Sequence, residues 1–223
     1  MKKALLVIFL VLLVDQALKI WIKTSFVLDE ELPIFGEWFR LHFTENRGMA
    51  FGIELGGEGS HWGKIFLSLF RILAIGLLSW YLVTLVKKKA QTRLIISISL
   101  ILSGAAGNII DSMFYGLIFS DSYFEAATFM PSGGGYAGFL QGDVVDMLYF
   151  PLFTAEWPLI GKFTFFSPIF NVADSAISVG VFILLFNQKK YFGKKEEVVA
   201  PTEPVITEGN STENISPETE TTV

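Results

Sequence analysis

Three aspartates of this chain are candidates for acid–base chemistry. Asp143 and Asp146 lie in QGDVVDMLYF (residues 141–150), and Asp174 lies near the start of the apolar stretch FNVADSAISVGVFILLF (residues 170–186). If either of the first two meets Asp174, the like charges cannot both ionise, so the pair shares one proton and its pKa values separate. The ionised carboxylate can then deprotonate a water molecule while the protonated one polarises a carbonyl group, as in aspartic proteases.

Other kinds of site are poorly supported by the composition. The chain has 223 residues, no cysteine and only two histidines, His42 and His61. There can be no disulfide, thiolate nucleophile or Cys-ligated metal, and the histidines are too far apart for an H-E-x-x-H pair. No basic patch with interleaved aromatic residues is present. We therefore predict no metal, no cofactor and no nucleic-acid partner.

The elements that carry these residues are predicted to be membrane helices, because 52% of the chain is hydrophobic and only 17% is charged. Four windows reach the ~20 residues that a span requires: residues 4–22, 65–86, 94–118 and 166–186. Lys2 and Lys3 before the first window are typical of a signal peptide, but no small-x-small cleavage site follows. We interpret this window as a retained span.

The distribution of basic residues predicts the orientation of the four spans. Basic clusters lie before the first span, between the second and third in KKKAQTR (residues 87–93), and after the fourth. The long loops, about 23–64 and 119–165, have few basic residues, so both termini are predicted to be cytoplasmic and both long loops external. Alternation in EWFRLHFTEN (residues 37–46) indicates a strand. The predicted fold is an all-α membrane protein with four transmembrane helices and a small extracytoplasmic β-rich subdomain.

The long loops also contain aromatic residues that suit either a surface lying on membrane phospholipids or ordinary interfacial anchoring. These are Trp38, Phe51, Trp62, Tyr123, Phe124 and Trp157. After the membrane domain (residues 1–193), the tail (194–223) contains seven glutamates and, from Glu196 onward, no Lys or Arg. Its composition predicts a disordered, acidic, cytoplasmic segment.

Polar residues inside the spans lie at similar predicted depths. At ~1.5 Å per residue, counted from the nearest cytoplasmic Lys or Arg, all lie ~18–27 Å from the inner edge. That places them in the outer third of a core ~30 Å thick. They are Asp15, Lys19, Asn108, Asp111, Asn171 and Asp174.

Each polar position has a structural and a functional interpretation. Asp15 and Lys19, spaced i, i+4, are interpreted as an ion pair. Asn–Asp pairs spaced i, i+3 can serve as helix–helix hydrogen bonds. For Asp111 both interpretations stay open, a carboxylate that holds a loop or a member of the site. We interpret Asp174 as functional.

Five motifs together resemble the lipoprotein signal peptidase (signal peptidase II) family, over about residues 1–193. They are VDQALK (14–19), ENRGMAFG (45–52), GAAGNIID (104–111), VVDM (144–147) and FNVADSAISVG (170–180). The resemblance implies that Asp146, rather than Asp143, forms a catalytic dyad with Asp174. It implies water attack on the peptide bond before a diacylglyceryl-modified cysteine, which releases the signal peptide from a prolipoprotein.

The resemblance also implies a location, an inhibitor and a set of supporting residues. The location would be the bacterial cytoplasmic (inner) membrane, with the site toward the outer, periplasmic face. Globomycin-type cyclic peptides would occupy the dyad, and residues 46–48 would belong to a loop of the substrate cleft. The supporting or substrate-binding residues predicted in this way are Asp15, Lys19, Asn46, Gly48, Asn108, Asp111, Asn171 and Ala173.

Two departures from the family pattern and two alternative functions accompany this prediction. Ser112 stands where the family usually has arginine, so a substrate contact made by that arginine is in doubt. The segment 112–142 is much longer than usual, and the stretch between Asp146 and residue 170 is somewhat extended.

A small proton- or ion-coupled carrier could use the same acids as a relay, although a relay should cross the whole bilayer. An inactive binding homologue is the other alternative, which the presence of both candidate acids disfavours.

Overall fold

The computed structural model describes residues 1–46, 61–157, 161–188 and 191. Within them, three helices are long and apolar enough to cross a membrane. They are α1 (Lys2–Ser25), α2 (His61–Lys87) and α3 (Thr92–Ile110), the last continuing through a π-helical turn (Asp111–Tyr115) and the short α4 (Gly116–Ile118). The first three predicted windows fall on these helices. Gly48, Phe51 and the predicted acidic tail lie outside the described residues.

The last apolar helix is shorter than predicted. α5 (Val172–Phe186) has 15 residues and begins at Val172 rather than at position 166. Asn171 is its N-cap: the side-chain oxygen of Asn171 accepts from the Asp174 backbone N–H, and the Asp174 carboxylate accepts from the Asn171 N–H. This reciprocal capping box fixes the first residue of the helix. An apolar run alone did not show where the helix would start.

Glycines allow α3 to pack closely against α5 and α1. A Cβ atom on Gly104 would lie 2.2 Å from the Ala173 carbonyl oxygen, and one on Gly107 would lie 2.7 Å from the Asp15 carboxylate. At Gly180 on α5, a Cβ would lie 2.8 Å from the Ser97 carbonyl oxygen. Small residues permit such backbone approach between membrane helices. The three helices that carry most of the polar residues therefore meet along these glycines.

A four-stranded antiparallel sheet packs at one end of the helices, and a separate hairpin lies in the chain between its last two strands. Strand order is β1-β2-β3-β6, and Thr44 on β2 pairs with Asp146 on β3. The alternating segment 37–46 was predicted as a strand, and β2 confirms it. The sheet strands are β1 (Glu31–Phe35), β2 (Phe39–Asn46), β3 (Val144–Tyr149) and β6 (Ile169–Phe170), and the hairpin is β4 (Phe153–Trp157) with β5 (Gly161–Phe165).

Apolar and ionic contacts join the sheet to α1. A buried cluster that includes Ile22, Phe43 and Val145 spans α1, β2 and β3. Beside it, the buried Lys23 ammonium pairs with the Glu45 carboxylate and donates to the Ser122 hydroxyl at 3.0 Å. Burial raises the pKa of Glu45 although the Lys23 charge opposes the shift. The end of α1 thus fixes the position of the strands that lead to the acids.

Exposed apolar surface covers the outer faces of the helices and part of the sheet region. Large side chains of α1 and α2, among them Phe9 and Phe70, are exposed, as expected for faces that contact lipid. Of the loop aromatics singled out in the sequence, Trp38, Trp62, Tyr123 and Phe124 are exposed. This exposure fits a surface in contact with the membrane interface.

Candidate active site

Lys19 lies between two buried carboxylates. Its ammonium nitrogen is 3.0 Å from Asp15 Oδ2 and 2.8 Å from Asp111 Oδ2, and it donates to Asn108 Oδ1 at 2.8 Å. All three charged side chains are fully buried. The predicted Asp15–Lys19 ion pair is confirmed, and Asp111 extends it. Removal of Lys19 would leave the carboxylates of Asp15 and Asp111 buried without their cation, which is strongly destabilising.

Asn108 connects this ion cluster to Asp174. Its side-chain oxygen accepts from Lys19, while its Nδ2 donates to Asp174 Oδ1 at 2.8 Å. The Lys19 contact fixes which end of the amide faces the ammonium, because only the oxygen can accept. The N–H end therefore points at the carboxylate of Asp174. In this way α1 determines the orientation of an α3 side chain against the first turn of α5.

Asn171 contacts both candidate catalytic acids. Its Nδ2 donates to Asp146 Oδ1 at 2.6 Å, and its backbone N–H donates to Asp174 Oδ2 at 3.3 Å. The same Nδ2 lies 3.1 Å from Asn108 Oδ1, and Asn171 is fully buried. One residue at the junction of β6 and α5 thus links an acid from β3 to an acid from α5.

Asp111 positions the strand that carries Asp146. Its Oδ2 accepts the backbone N–H of Val145 at 3.2 Å, one residue before Asp146. The Asp146 carboxylate also accepts from the side chain of Asn46, at the end of β2. These contacts favour the interpretation of Asp111 as a carboxylate that holds the loop segment in place.

The Asp146 carboxyl has an environment that favours its protonated form. It is only 4% exposed, and burial, followed by the nearby charge of Asp174, raises its pKa to about 7. Lys19 and the hydrogen bonds from Asn171 and Asn46 oppose the shift. Asp174 is half-buried, and both of its oxygens accept N–H groups. Two carboxyls in different environments are the arrangement that separates an acid from a base.

Asp143, the other acid of the same segment, faces a different partner. Its Oδ1 lies 2.5 Å from the ammonium of Lys64 on α2, and its backbone N–H donates to the Tyr136 hydroxyl at 2.7 Å. The chemistry of the sequence left the choice between Asp143 and Asp146 open. In the structure, Asp146 hydrogen-bonds Asn171, whereas Asp143 pairs with Lys64.

The remaining predicted residues have mixed outcomes. The backbone N–H of Ala173 donates to Asp15 Oδ1 at 2.8 Å, so Asp15 caps the first turn of α5. Gly48 lies outside the described residues. Within the part of the chain that is described, no group of three or more His, Cys, Asp or Glu side chains is placed to hold a metal ion.

Sequence reasoning missed two residues of this network. Gln16 donates to Asp111 Oδ1 at 2.9 Å, and its Oε1 accepts from the Tyr115 hydroxyl at 3.2 Å. Gln16 thus occupies the Asp111 oxygen that Lys19 does not contact, and Tyr115 holds Gln16. The available signal was a glutamine inside an apolar span, directly after Asp15.

Comparisons with known proteins agree on one family. Residues 7–189 match the sequence model of a family described as Signal peptidase (SPase) II. A lipoprotein signal peptidase of Porphyromonas gingivalis is 51% identical over 185 residues, which cover 80% of this chain and 79% of that protein. One of Amoebophilus asiaticus is 33% identical over 233 residues, with 95% and 94% covered.

A solved structure has a similar fold. It is described as a bacterial membrane enzyme determined by the in meso method, and it aligns with a TM-score of 0.57 at 24% sequence identity. The alignment covers 90% of this chain and 96% of the other. At this level of identity the likeness concerns the fold alone.

Proposed function

The chain belongs to the signal peptidase II family, and we propose that it is an aspartic endopeptidase of the membrane. Its substrates would be diacylglyceryl-modified prolipoproteins, cleaved just before the lipidated cysteine. The observation that carries the aspartic mechanism is the position of Asn171, which hydrogen-bonds both Asp146 and Asp174. Two acids from separate parts of the chain are thereby held in one site.

The two acids take different roles in the proposed reaction. Asp174 removes a proton from a water molecule, and the resulting hydroxide attacks the carbonyl carbon of the scissile bond. Asp146, whose pKa is raised to about 7, holds the shared proton and donates it to the carbonyl oxygen. When the intermediate collapses, Asp174 passes the proton taken from water to the leaving amine, and Asp146 recovers its proton from one hydroxyl of the intermediate. The signal peptide departs as a carboxylic acid.

The surrounding residues would hold the acids rather than react. Asn108 fixes the orientation of Asp174, and Asn171 that of Asp146. The ion cluster of Lys19, Asp15 and Asp111 holds Asn108 through Lys19. Such preorganised polar groups avoid reorganisation at the moment of reaction. Asn46, Ala173 and Gly48 complete the proposed supporting set, the last on the strength of the resemblance alone.

The proposed membrane arrangement follows from charge distribution and from the depth of the acids. We propose four spans, α5 being the fourth, with both termini and the tail (194–223) in the cytoplasm and the sheet outside the bacterial inner membrane. The acids then lie near the outer face of the membrane domain (1–193). A substrate anchored by its own lipid would present its scissile bond at that level, and globomycin-type inhibitors would occupy the same place.

A proton- or ion-coupled carrier is the less favoured function. The contacts of Asp15, Lys19, Asp111 and Asp174 form one compact cluster with Asn108. A relay across a bilayer needs groups along its whole thickness. Membership of the peptidase family also favours hydrolysis over transport.

A direct test uses the purified full-length protein with a precursor peptide in lipidated and unlipidated forms. We expect cleavage of the lipidated peptide alone, with mass spectrometry showing a product that begins at the lipidated cysteine. Equal cleavage of both peptides would contradict the proposed specificity. Absence of any cleavage of the lipidated peptide by a folded preparation would contradict the proposed reaction.

A further inference from the structure

One face of α2 is polar within an otherwise apolar helix. Lys64, Ser68 and Arg71 are spaced i, i+4 and i+7, which places them on a single face. Lys64 contacts Asp143, and the Ser68 hydroxyl donates to the Leu140 carbonyl at 3.2 Å. This face therefore packs on the segment that leads into β3. Arg71 is the member of the face farthest from the start of α2.

Arg71 reaches the neighbourhood of the catalytic acids without pairing with them. Its Nη1 lies 3.5 Å from the Ser112 hydroxyl, a long hydrogen bond. The carboxylates whose charges act on it are those of Asp174, Asp111 and Asp146. Among the residues that the structure describes, none forms an ion pair with Arg71.

Arg71 carries its charge inside a helix that we interpret as membrane-spanning, where a cation is energetically unfavourable unless it has a partner. Intramembrane arginines therefore usually face a partner or a functional cavity. A guanidinium carries five N–H donors, of which the described contacts use one, at a long distance. Toward the residues that the structure describes, most of its donors are therefore unused.

Ser112 is the residue that the Arg71 guanidinium contacts in the structure. Ser112 is 4% exposed and donates to the Asn108 carbonyl at 3.2 Å, so its hydroxyl lies against α3 and under the Arg71 guanidinium. The chain thus places the Arg71 guanidinium of α2 beside the π-helical turn that follows α3.

We propose that Arg71 is a substrate-binding residue, a role that rests on the proposed function. Its guanidinium donates hydrogen bonds to a carbonyl oxygen of the lipidated precursor. Two carbonyl sources share this chemistry, the peptide backbone near the scissile bond and the acyl esters of the diacylglyceryl group. The fork of N–H donors suits carbonyl oxygens held within a low-dielectric site, where such bonds are strong.

The first test measures the steady-state kinetics of Arg71→Gln with the lipidated precursor. A hydrogen bond to a charged group contributes about 1.5–3 kcal/mol, so we expect KM to rise about tenfold or more, with a smaller change in kcat. Arg71→Lys, which keeps the charge but loses the fork, should recover part of the loss. Arg93→Gln is the matched control, since Arg93 is exposed at the first turn of α3, and its KM should equal that of the wild type.

A second variant separates substrate binding from helix packing. Ser112→Ala removes the described partner of Arg71 and leaves the guanidinium in place. If Arg71 binds substrate, KM for Ser112→Ala stays near the wild-type value. If Ser112→Ala and Arg71→Gln raise KM equally, Arg71 only connects α2 to α3 and the inference is wrong.

The source of the carbonyl is found by comparing ester-linked with ether-linked lipid on the same peptide. A contact to the acyl ester predicts that the wild type prefers the ester form and that Arg71→Gln abolishes the preference. A contact to the peptide backbone predicts that Arg71→Gln raises KM equally for both forms. An unchanged KM in Arg71→Gln overturns the inference alone, whereas a wild type that does not cleave the lipidated precursor overturns the proposed function.

Discussion

Asp174 performs a structural task as well as the proposed chemical one. It is the third residue of α5, where its carboxylate accepts the N–H of the N-cap residue Asn171 and faces the positive end of the helix dipole. A carboxylate at this position is therefore compatible with an apolar helix. Asp174 is half-buried and so more open to solvent than Asp146, which is 4% exposed.

Individual site residues could be predicted from the sequence to the extent that they stood out from apolar surroundings. Asp15, Lys19, Asn108 and Asp111 were expected at one depth, and the structure joins them in one cluster. The bridging contacts of Asn171 could not be predicted, because they depend on β3 and α5 meeting in space. Gln16, Tyr115 and Arg71 were missed because a single polar residue in a span has no partner visible in the sequence.

The raised pKa of Asp146 predicts a pH dependence of activity. The mechanism requires Asp146 to be protonated, and with a pKa of about 7 this form is lost as pH rises through neutrality. We expect kcat/KM for the lipidated precursor to fall on the alkaline side, with an apparent pKa that belongs to the coupled pair. The measurement is a rate profile over roughly pH 5 to 9. Activity that keeps rising up to the alkaline limit would contradict the assignment of the proton to Asp146.

At the scale of the elements, hydropathy predicted the helices and missed their ends. The first three windows correspond to α1, α2 and α3, since an apolar run of sufficient length has few other stable forms in lipid. The start of α5 depends on a capping box. The π-helical turn begins at Asp111, whose side chain accepts the Val145 N–H of β3, a contact that hydropathy does not show. The β4–β5 hairpin was noticed only as extra length, because its strands pair with each other outside the main sheet.

Close packing of α3 on α5 predicts unequal effects of two glycine substitutions. In Gly104→Ala the new methyl group would lie 2.2 Å from the Ala173 carbonyl oxygen, so the helices must separate. We expect a loss of about 1–3 kcal/mol, typical of overpacking, and reduced activity because Asp174 moves with α5. The measurement is the thermal unfolding midpoint in detergent together with the cleavage rate.

Gly76→Ala is the matched control for this substitution. Nothing lies within 4 Å of a Cβ at Gly76 on α2, and alanine favours helix by about 0.8–1.0 kcal/mol over glycine. The control should leave the midpoint unchanged or raise it. If both variants were equally stable, close approach at Gly104 would not hold α3 and α5 together.

At the scale of the whole molecule, basic residues are concentrated in the segments that we predict to be cytoplasmic, and this asymmetry predicts the orientation of the protein in the membrane. The chain has no cysteine, so single cysteines can be introduced without background. Glu125→Cys lies in the second long loop and Lys88→Cys in the short loop between α2 and α3, and both native side chains are exposed. With a membrane-impermeant maleimide on intact cells, we expect labelling at 125 and none at 88 until the membrane is permeabilised. The reverse result would place the acids near the cytoplasmic face.

At the domain scale, the predicted strand β2 is confirmed, while the membrane domain (1–193) and the acidic tail (194–223) stay predictions. The basic clusters and the acidic tail stand out in the sequence, and so does the strand pattern of β2. The attachment of the sheet to α1 through Lys23 and Glu45 was not predicted, because the two residues lie in different parts of the chain and only the folded arrangement pairs them. This ion pair connects β2 to α1, and β2 in turn pairs with β3, which carries Asp146.

The central claim is that Asp146 and Asp174 act together, and three single substitutions test it most directly. Asp146→Asn and Asp174→Asn should each lower the cleavage rate of the lipidated precursor by about a hundredfold to ten-thousandfold, the usual contribution of general acid–base catalysis. Asp143→Asn, whose carboxylate pairs with Lys64 instead, should retain cleavage. If Asp146→Asn or Asp174→Asn, folded and expressed like the wild type, cleaved at the full rate, the proposed pair would be wrong.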